Sequence, residues 1–155
     1  MDRLTKERRS WNMSRIKGRD TKPEKLVRSL IHRLGYRFRV HRQDLPGRPD
    51  IILPKYTTVI FVHGCFWHRH RGCKYAYIPK SRQDFWESKF RQNVERDSRK
   101  ELQIKKMGWN VILVWECQLR DIKKLADRLN KELKGRLAAY NKMDCGSHAA
   151  TVWIG

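Results

Sequence analysis

Residues 57–62 and 109–115 are short, nearly continuous apolar runs, and between them a long helical pattern over residues 82–107 closes at Gly108. Runs of that length bounded by turn signals read as buried strands. Strand, helix and strand make a β-α-β unit, and if its strands are parallel neighbours their C-terminal ends lie on one edge of the sheet. Cys65, just past the first strand, and Cys117, just past the second, then meet at that edge.

The remaining elements are arranged around this unit. Asp50 follows a turn over residues 45–49 that ends in Pro49, and residues 50–53 pair with 57–62 as a central hairpin joined by Pro54-Lys55-Tyr56. Asp50 lies where the hairpin begins. Upstream, Thr21 as N-cap, Pro23 in the first turn and Glu24 three residues after the cap mark a helix start. Leu26, Val27, Leu30, Ile31 and Leu34 keep helical spacing until Gly35. Residues 36–41 alternate apolar and polar, which predicts a strand with one solvated face. In the long helix the apolar positions are Phe85, Trp86, Phe90, Val94 and Leu102, with Asn93 and Asp97 on the face of Trp86 and Phe90. Residues 121–140 form a last amphipathic helix. The expected organisation is a basic arm over residues 1–18 with room for one short helix, one domain over 19–140, and an irregular tail over 141–155.

Lys and Arg number 36 against 16 Asp and Glu, a formal net charge of +20 spread along the chain. Such a field favours a polyanion, of which nucleic acid is the commonest. Ribosomal and membrane-surface proteins share that balance, so aromatic residues and metal ligands must decide. No apolar stretch approaches the ~20 residues of a membrane span. Nor does a signal-peptide core follow Met1-Asp2-Arg3, so a cytoplasmic protein is expected. The four cysteines are Cys65, Cys73, Cys117 and Cys145. In a reducing compartment, with His68 and His70 nearby, metal binding is preferred to disulfides, and Cys145 in the tail reads as a free thiol.

Cys65, His70, Cys73 and Cys117 suit a closed tetrahedral zinc site that staples a loop too polar to pack alone. His68 could stand in for His70, and unligated buried thiols are the plain alternative. Asp50 is a candidate carboxylate for a magnesium ion, which phosphodiester hydrolysis can use to neutralise the phosphate and generate hydroxide. A turn aspartate is its ordinary reading. Across the hairpin, the Val62 carbonyl can be a second ligand. His63 and His68 lie close by, and either can take a proton from water near neutral pH. Asp97 either orients His68 or is a solvated charge, and Glu24 is either a capping residue or an outer-sphere metal ligand. Phe66, Trp67 and Trp86 can stack on bases or wedge open a duplex step, against core packing as the alternative. Arg8, Arg9, Arg15, Arg48, Arg69 and Arg71 are candidate phosphate contacts.

An ordered set of these residues resembles the very short patch repair endonucleases, bacterial enzymes that nick DNA at T:G mismatches. It comprises Ser10-x-Asn12-Met13, Leu45-Pro46-Gly47-Arg48-Pro49-Asp50, His63-Gly64-Cys65-Phe66-Trp67-His68-x-His70, Phe85-Trp86, Asn93-Val94-Glu95-Arg96-Asp97 and Trp115-Glu116-Cys117. The resemblance implies a restriction-endonuclease-like α/β fold, a central mixed sheet flanked by helices. Phe61-Val62-His63 stands where the wider fold has Glu-x-Lys, and Val62 stands where the family more often shows Thr. The resemblance further implies that Asp50 and the Val62 carbonyl bind magnesium, that His68 activates water, and that His63, Glu24 and Asp97 support the site. Zinc would take Cys65, His70, Cys73 and Cys117. Phe66, Trp67 and Trp86 would wedge into the DNA from one side, with the arm around Met13 gripping the other. The implied reaction is a single-strand cut 5′ of the mispaired thymine, a product of 5-methylcytosine deamination; one site per chain and an asymmetric mismatch make a monomer adequate. A restriction-type nuclease of other specificity and a zinc-stapled DNA-binding module without catalysis are the competing readings.

Overall fold

The computed structural model describes residues 5–146. Its elements run α1 (Lys6–Ser14), α2 (Lys22–Arg33), β1 (Ile51–Leu53), β2 (Thr58–His63), α3 (Gln83–Lys106), β3 (Asn110–Trp115) and α4 (Ile122–Gly146), with 3-10 turns at Pro54–Tyr56 and Glu116–Arg120. The sheet is mixed and three-stranded, in the order β1-β2-β3. β1 pairs antiparallel to β2 with Ile51 opposite Ile60, and β2 pairs parallel to β3 with His63 opposite Trp115.

Strand alternation divides the core between the two faces of this sheet. Ile51, Leu53, Ile60, Val62, Ile112 and Val114 pack with Val27, Leu30 and Ile31 of α2 and Leu125, Leu129 and Leu133 of α4. Ile52 and Val59 face the other way, against Leu45 and Ile104, with Phe61, Trp109 and Val111 at the margin. Each fully buried Ile, Leu or Val contributes roughly 1.5–3 kcal/mol to the assembly. Because β2 and β3 are parallel and β1 runs against them, the start of β1 and the ends of β2 and β3 share one edge. On the α3 face of that edge, His63 and Trp115 follow Phe61 and Val111 in the alternation.

The Thr21 N-cap of α2 forms as read, with Thr21 Oγ1 accepting from Glu24 N at 3.4 Å and donating to Glu24 Oε1 at 2.9 Å, but the Glu24 side chain reaches back to the N–H of Asp20 rather than that of Thr21. Gly47 makes the turn before Asp50, with φ +75 and a Cβ position only 2.9 Å from the Lys100 side chain, so only glycine fits there without displacement. The arm contains one helix, α1, capped by Thr5 and burying none of its residues.

Several expectations change. Residues 36–41 do not form a strand and pair only at an isolated bridge between Arg39 and Ile52. β1 offers three residues for pairing, and His41 at φ +58 turns the chain out of the extended region. Phe85, Val94 and Leu102 of α3 are exposed, because this helix buries only Phe90, Asn93 and Ile104. The last helix continues past Tyr140 to Gly146. The rest of the tail and the side chain of Cys145 lie outside the described residues.

Candidate active site and metal centre

Asp50 is anchored by the hairpin that it opens. Its N–H donates to Ile60 O at 3.1 Å, and the Val62 N–H donates to its Oδ2 at 2.7 Å. Burial pushes its carboxyl up to about 6, against the lowering effect of the Val62 amide; nearby Glu24 raises it further, while Arg28 and His68 lower it. A carboxyl held at that value is an electrostatically strained position that a cation would relieve. Glu24, itself buried, accepts from Asp20 N at 2.6 Å as well as from Thr21, and Arg28 reaches its Oε2 at 3.4 Å. Glu24 therefore caps α2 and also adds negative charge beside Asp50.

His68 Nδ1 meets Asp97 Oδ2 at 2.5 Å, and the rings of His68 and His63 stack with centroids 3.9 Å apart and planes 8° from parallel. Nδ1 is committed to Asp97, which leaves Nε2 as the outward-working nitrogen of His68. Burial lowers His63 to about 4, aided by the charge of His68 beside it. His63 is thus neutral near physiological pH. Burial also pushes the Asp97 carboxyl up, but the His68 hydrogen bond and the charges of His68, His63 and Arg96 outweigh it and hold the group below its usual range. His63, His68 and Asp97 place donor atoms within 4.8 Å of one another.

Cys65, His70, Cys73 and Cys117 form a second such group. His70 Nδ1 lies 3.3 Å from Cys117 Sγ and 3.7 Å from Cys65 Sγ, so His70 and not His68 completes this set. Burial pushes the Cys65 thiol up to about 12 and raises Cys117, whereas hydrogen bonding from the Tyr75 backbone holds Cys73 below its ordinary value. Two neighbouring thiols that resist ionisation need a compensating positive charge to become ligands together. Three sulfurs and one imidazole nitrogen converging at this spacing fit a tetrahedral metal ion. The β-α-β connection delivers Cys117 there.

Phe66 sits among rings: its centroid is 5.1 Å from those of Trp67, Tyr77 and Phe90, and 5.4 Å from that of Trp86. Phe66, Trp67 and Trp86 are half-buried, so they support one another while keeping surface for a ligand. Met13 lies on α1 and is 47% exposed. Arg69, a candidate phosphate contact, is partly engaged within the protein, lying 4.2 Å above the Phe90 ring and donating to Tyr77 O at 3.0 Å.

The sequence reading assigned no site role to three residues that the structure places here. Asn93 is buried and donates to Trp67 O at 3.1 Å, tying α3 to the loop after β2. Tyr77 extends the aromatic cluster and is 62% exposed, from an aperiodic loop that carries no signal for it. Trp115 stacks on His70 and meets the edge of His63. The parallel register makes it a cross-strand neighbour of His63 and was the signal that could have revealed it.

Comparison with known proteins supplies the family. A family model described as DNA mismatch endonuclease Vsr matches residues 1–74. The type II nicking enzyme V.XorIIP of Xanthomonas oryzae pv. oryzae is 52% identical over 132 residues, covering 85% of this chain and 96% of that protein. The DNA mismatch endonuclease Vsr of Escherichia coli K12 is 48% identical over 122 residues, 79% of this chain and 78% of that protein. The type II nicking enzyme V.NmeAIP of Neisseria meningitidis serogroup A is 45% identical over 130 residues, 84% of this chain and 92% of that protein. The chain is an enzyme of the nuclease class, a phosphodiester hydrolase. It belongs to the Vsr family of DNA mismatch endonucleases.

Proposed function

We propose that this protein is a magnesium-dependent endonuclease that nicks one strand of duplex DNA on the 5′ side of the thymine in a T:G mismatch, the product of 5-methylcytosine deamination. The observation that carries this reading is the His68–Asp97 pair, stacked on a neutral His63 at the sheet edge where Asp50 is buried. Binding DNA requires none of these groups, whereas hydrolysis of a phosphodiester requires a base and a cation site. The names of the relatives, a mismatch endonuclease and nicking enzymes, point the same way.

Asp50 and the Val62 carbonyl would hold magnesium, which when bound supplies charge neutralisation at the phosphate and a more acidic water. His68 takes the proton of the attacking water at Nε2, and Asp97 fixes the tautomer and stabilises the resulting imidazolium. The water oxygen bonds to phosphorus, the P–O3′ bond breaks, and the 3′ oxygen leaves and is protonated from solvent. The phosphate stays on the 5′ carbon of the thymidine. His63 supports the His68 ring by stacking, and Glu24 helps to set the charge at Asp50. Cys65, His70, Cys73 and Cys117 would hold a structural zinc ion that secures the loop after β2. Phe66, Trp67 and Trp86 form a wedge at the mispair, where unstacking costs least, with Met13 of the arm on the opposite side.

The same reading makes the three-stranded sheet the centre of a restriction-endonuclease-like fold. The chain then works as a cytoplasmic monomer, with residues 1–18 as DNA-gripping arm, 19–140 as nuclease domain and 141–155 as tail. No helix among the described residues is long and apolar enough to cross a membrane. The test is strand-resolved cleavage, with magnesium, of duplexes that differ only in T:G against C:G, beside an Asp50→Ala control. A nick 5′ of the thymine in T:G duplexes alone, absent from the control, is expected. Equal cutting of matched DNA would assign a restriction-type specificity, and tight binding without cutting would make the protein a binding module.

A further inference from the structure

Four rings form one continuous column between the thiol cluster and the His68–Asp97 pair. His70 and Trp115 stack face to face, with centroids 4.3 Å apart and planes 7° from parallel. Trp115 meets His63 edge-on at 5.4 Å and 74°, and His63 stacks on His68 at 3.9 Å. At one end, His70 Nδ1 faces the sulfurs of Cys65 and Cys117; at the other, His68 Nδ1 is held by Asp97.

We infer that Trp115 is a positioning residue for the cleavage reaction, coupling the metal-suited thiol cluster to the histidine pair by fixing the plane of His63 and, through it, that of His68. This rests on the reading of His68 as general base. Trp115 is well suited to the task because its own freedom is small. It ends β3 opposite His63, so the sheet register sets the distance between the two side chains. Its backbone N–H donates to Gln118 Oε1 at 3.0 Å, and the 3-10 turn that follows carries Cys117 into the thiol cluster. One residue thereby touches both groups, its indole stacked on the His70 imidazole and edge-on to that of His63. The His63 ring is oriented by its contacts with Trp115, His68 and Phe61, which together set its plane. Displacing a base by about 1 Å can cost a hundredfold in rate, so a plane set by packing is mechanistically consequential.

The test compares wild type with Trp115→Leu and Trp115→Phe, and with His68→Ala, on a T:G duplex with magnesium. Metal content, DNA affinity, single-turnover rate and histidine-ring 15N signals are measured for each. Trp115→Leu is expected to keep its bound metal and its DNA affinity within about twofold and to lose roughly tenfold or more in single-turnover rate, while Trp115→Phe recovers most of it. The ring signals of His63 and His68 should move in both variants while those of His32 and His41 stay. A Trp115→Leu rate within about twofold of wild type, or a rate loss that tracks metal loss alone, would overturn the inference. If Trp115→Leu does not fold, Trp115→Phe decides: unchanged His63 and His68 signals overturn the inference, and shifted ones uphold it. An unaffected rate in His68→Ala would instead overturn the general-base reading, so the two failures are distinguishable.

Discussion

Asp50 and His63 titrate in overlapping ranges with opposite consequences for stability. The Asp50 carboxyl is raised from 3.8 to about 6, so its burial is unfavourable above pH 6 and the penalty vanishes as pH falls below 3.8. His63 is lowered from 6.5 to about 4, so its burial is without cost above pH 6.5, and the cost builds as pH falls from 6.5 and is complete below 4. Because these two contributions oppose each other while the lowered Asp97 carboxyl loses its stabilisation as pH falls, metal-free wild type should show a melting temperature that declines only gently on acidification from pH 7 to 4. Asp50→Asn removes one side of that balance. It should reduce cleavage to background, leave DNA binding intact, and raise the melting temperature of the metal-free protein at pH 7, with a ceiling of about 3 kcal/mol. Its melting temperature should then decline on acidification more steeply than that of wild type, as thermal scans across pH would record. A fall at pH 7 would contradict the strained-carboxyl reading. His68→Ala should lower the single-turnover rate by roughly 10²–10⁴-fold, and Asp97→Asn by less, since Asp97 acts only through His68.

At the scale of elements, the segment between β2 and α3 contains Cys65, His70 and Cys73 of the thiol cluster, His68 and most of the aromatic cluster, yet has no helix or strand of its own. Its order depends on Cys117 arriving from beyond β3 and on Asn93 holding the Trp67 carbonyl, and the proposed metal would add to both. Removal of zinc by a chelator should lower the melting temperature and abolish cleavage together, and Cys73→Ser should lose equimolar zinc by metal analysis. Retention of full activity in a zinc-free protein would contradict the stapling role. The α2 cap has two roles of different size. Thr21→Ala should cost about 1 kcal/mol of stability with little effect on rate, whereas Glu24→Gln should also shift the pH at which divalent metal binds, because it removes a negative charge near Asp50.

For the whole molecule, the +20 charge should make DNA affinity steeply salt-dependent, to the extent that its Lys and Arg side chains neutralise phosphates. Deleting residues 1–18 should weaken binding and flatten the dependence of log affinity on log salt by roughly 0.9 for each phosphate that the arm neutralises. Thermal stability should be unaffected, since α1 buries none of its residues. A large loss of stability on deletion would mean that the arm packs on the domain. The core lies elsewhere, between the sheet and α2, α3 and α4.

Local chemistry in the sequence determined the α2 cap, the hairpin of β1 and β2, the long α3 and the parallel return of β3, because capping, turn residues and hydrophobic period act over a few residues. From that β-α-β order alone, the meeting of Cys65 and Cys117 was legible. Tertiary structure decided what local signals leave open. It chose His70 over His68 for the thiol cluster, leaving His68 for Asp97, because the loop's path depends on where β3 delivers Cys117. It reduced residues 36–41 to a single bridge, since a strand needs a partner of matching length and β1 is short. It left Phe85, Val94 and Leu102 in solvent, since helical period names a face without saying whether anything covers it. It also set Trp115 between two histidines, because ring contacts depend on sheet register and side-chain direction together, which no stretch of sequence encodes by itself.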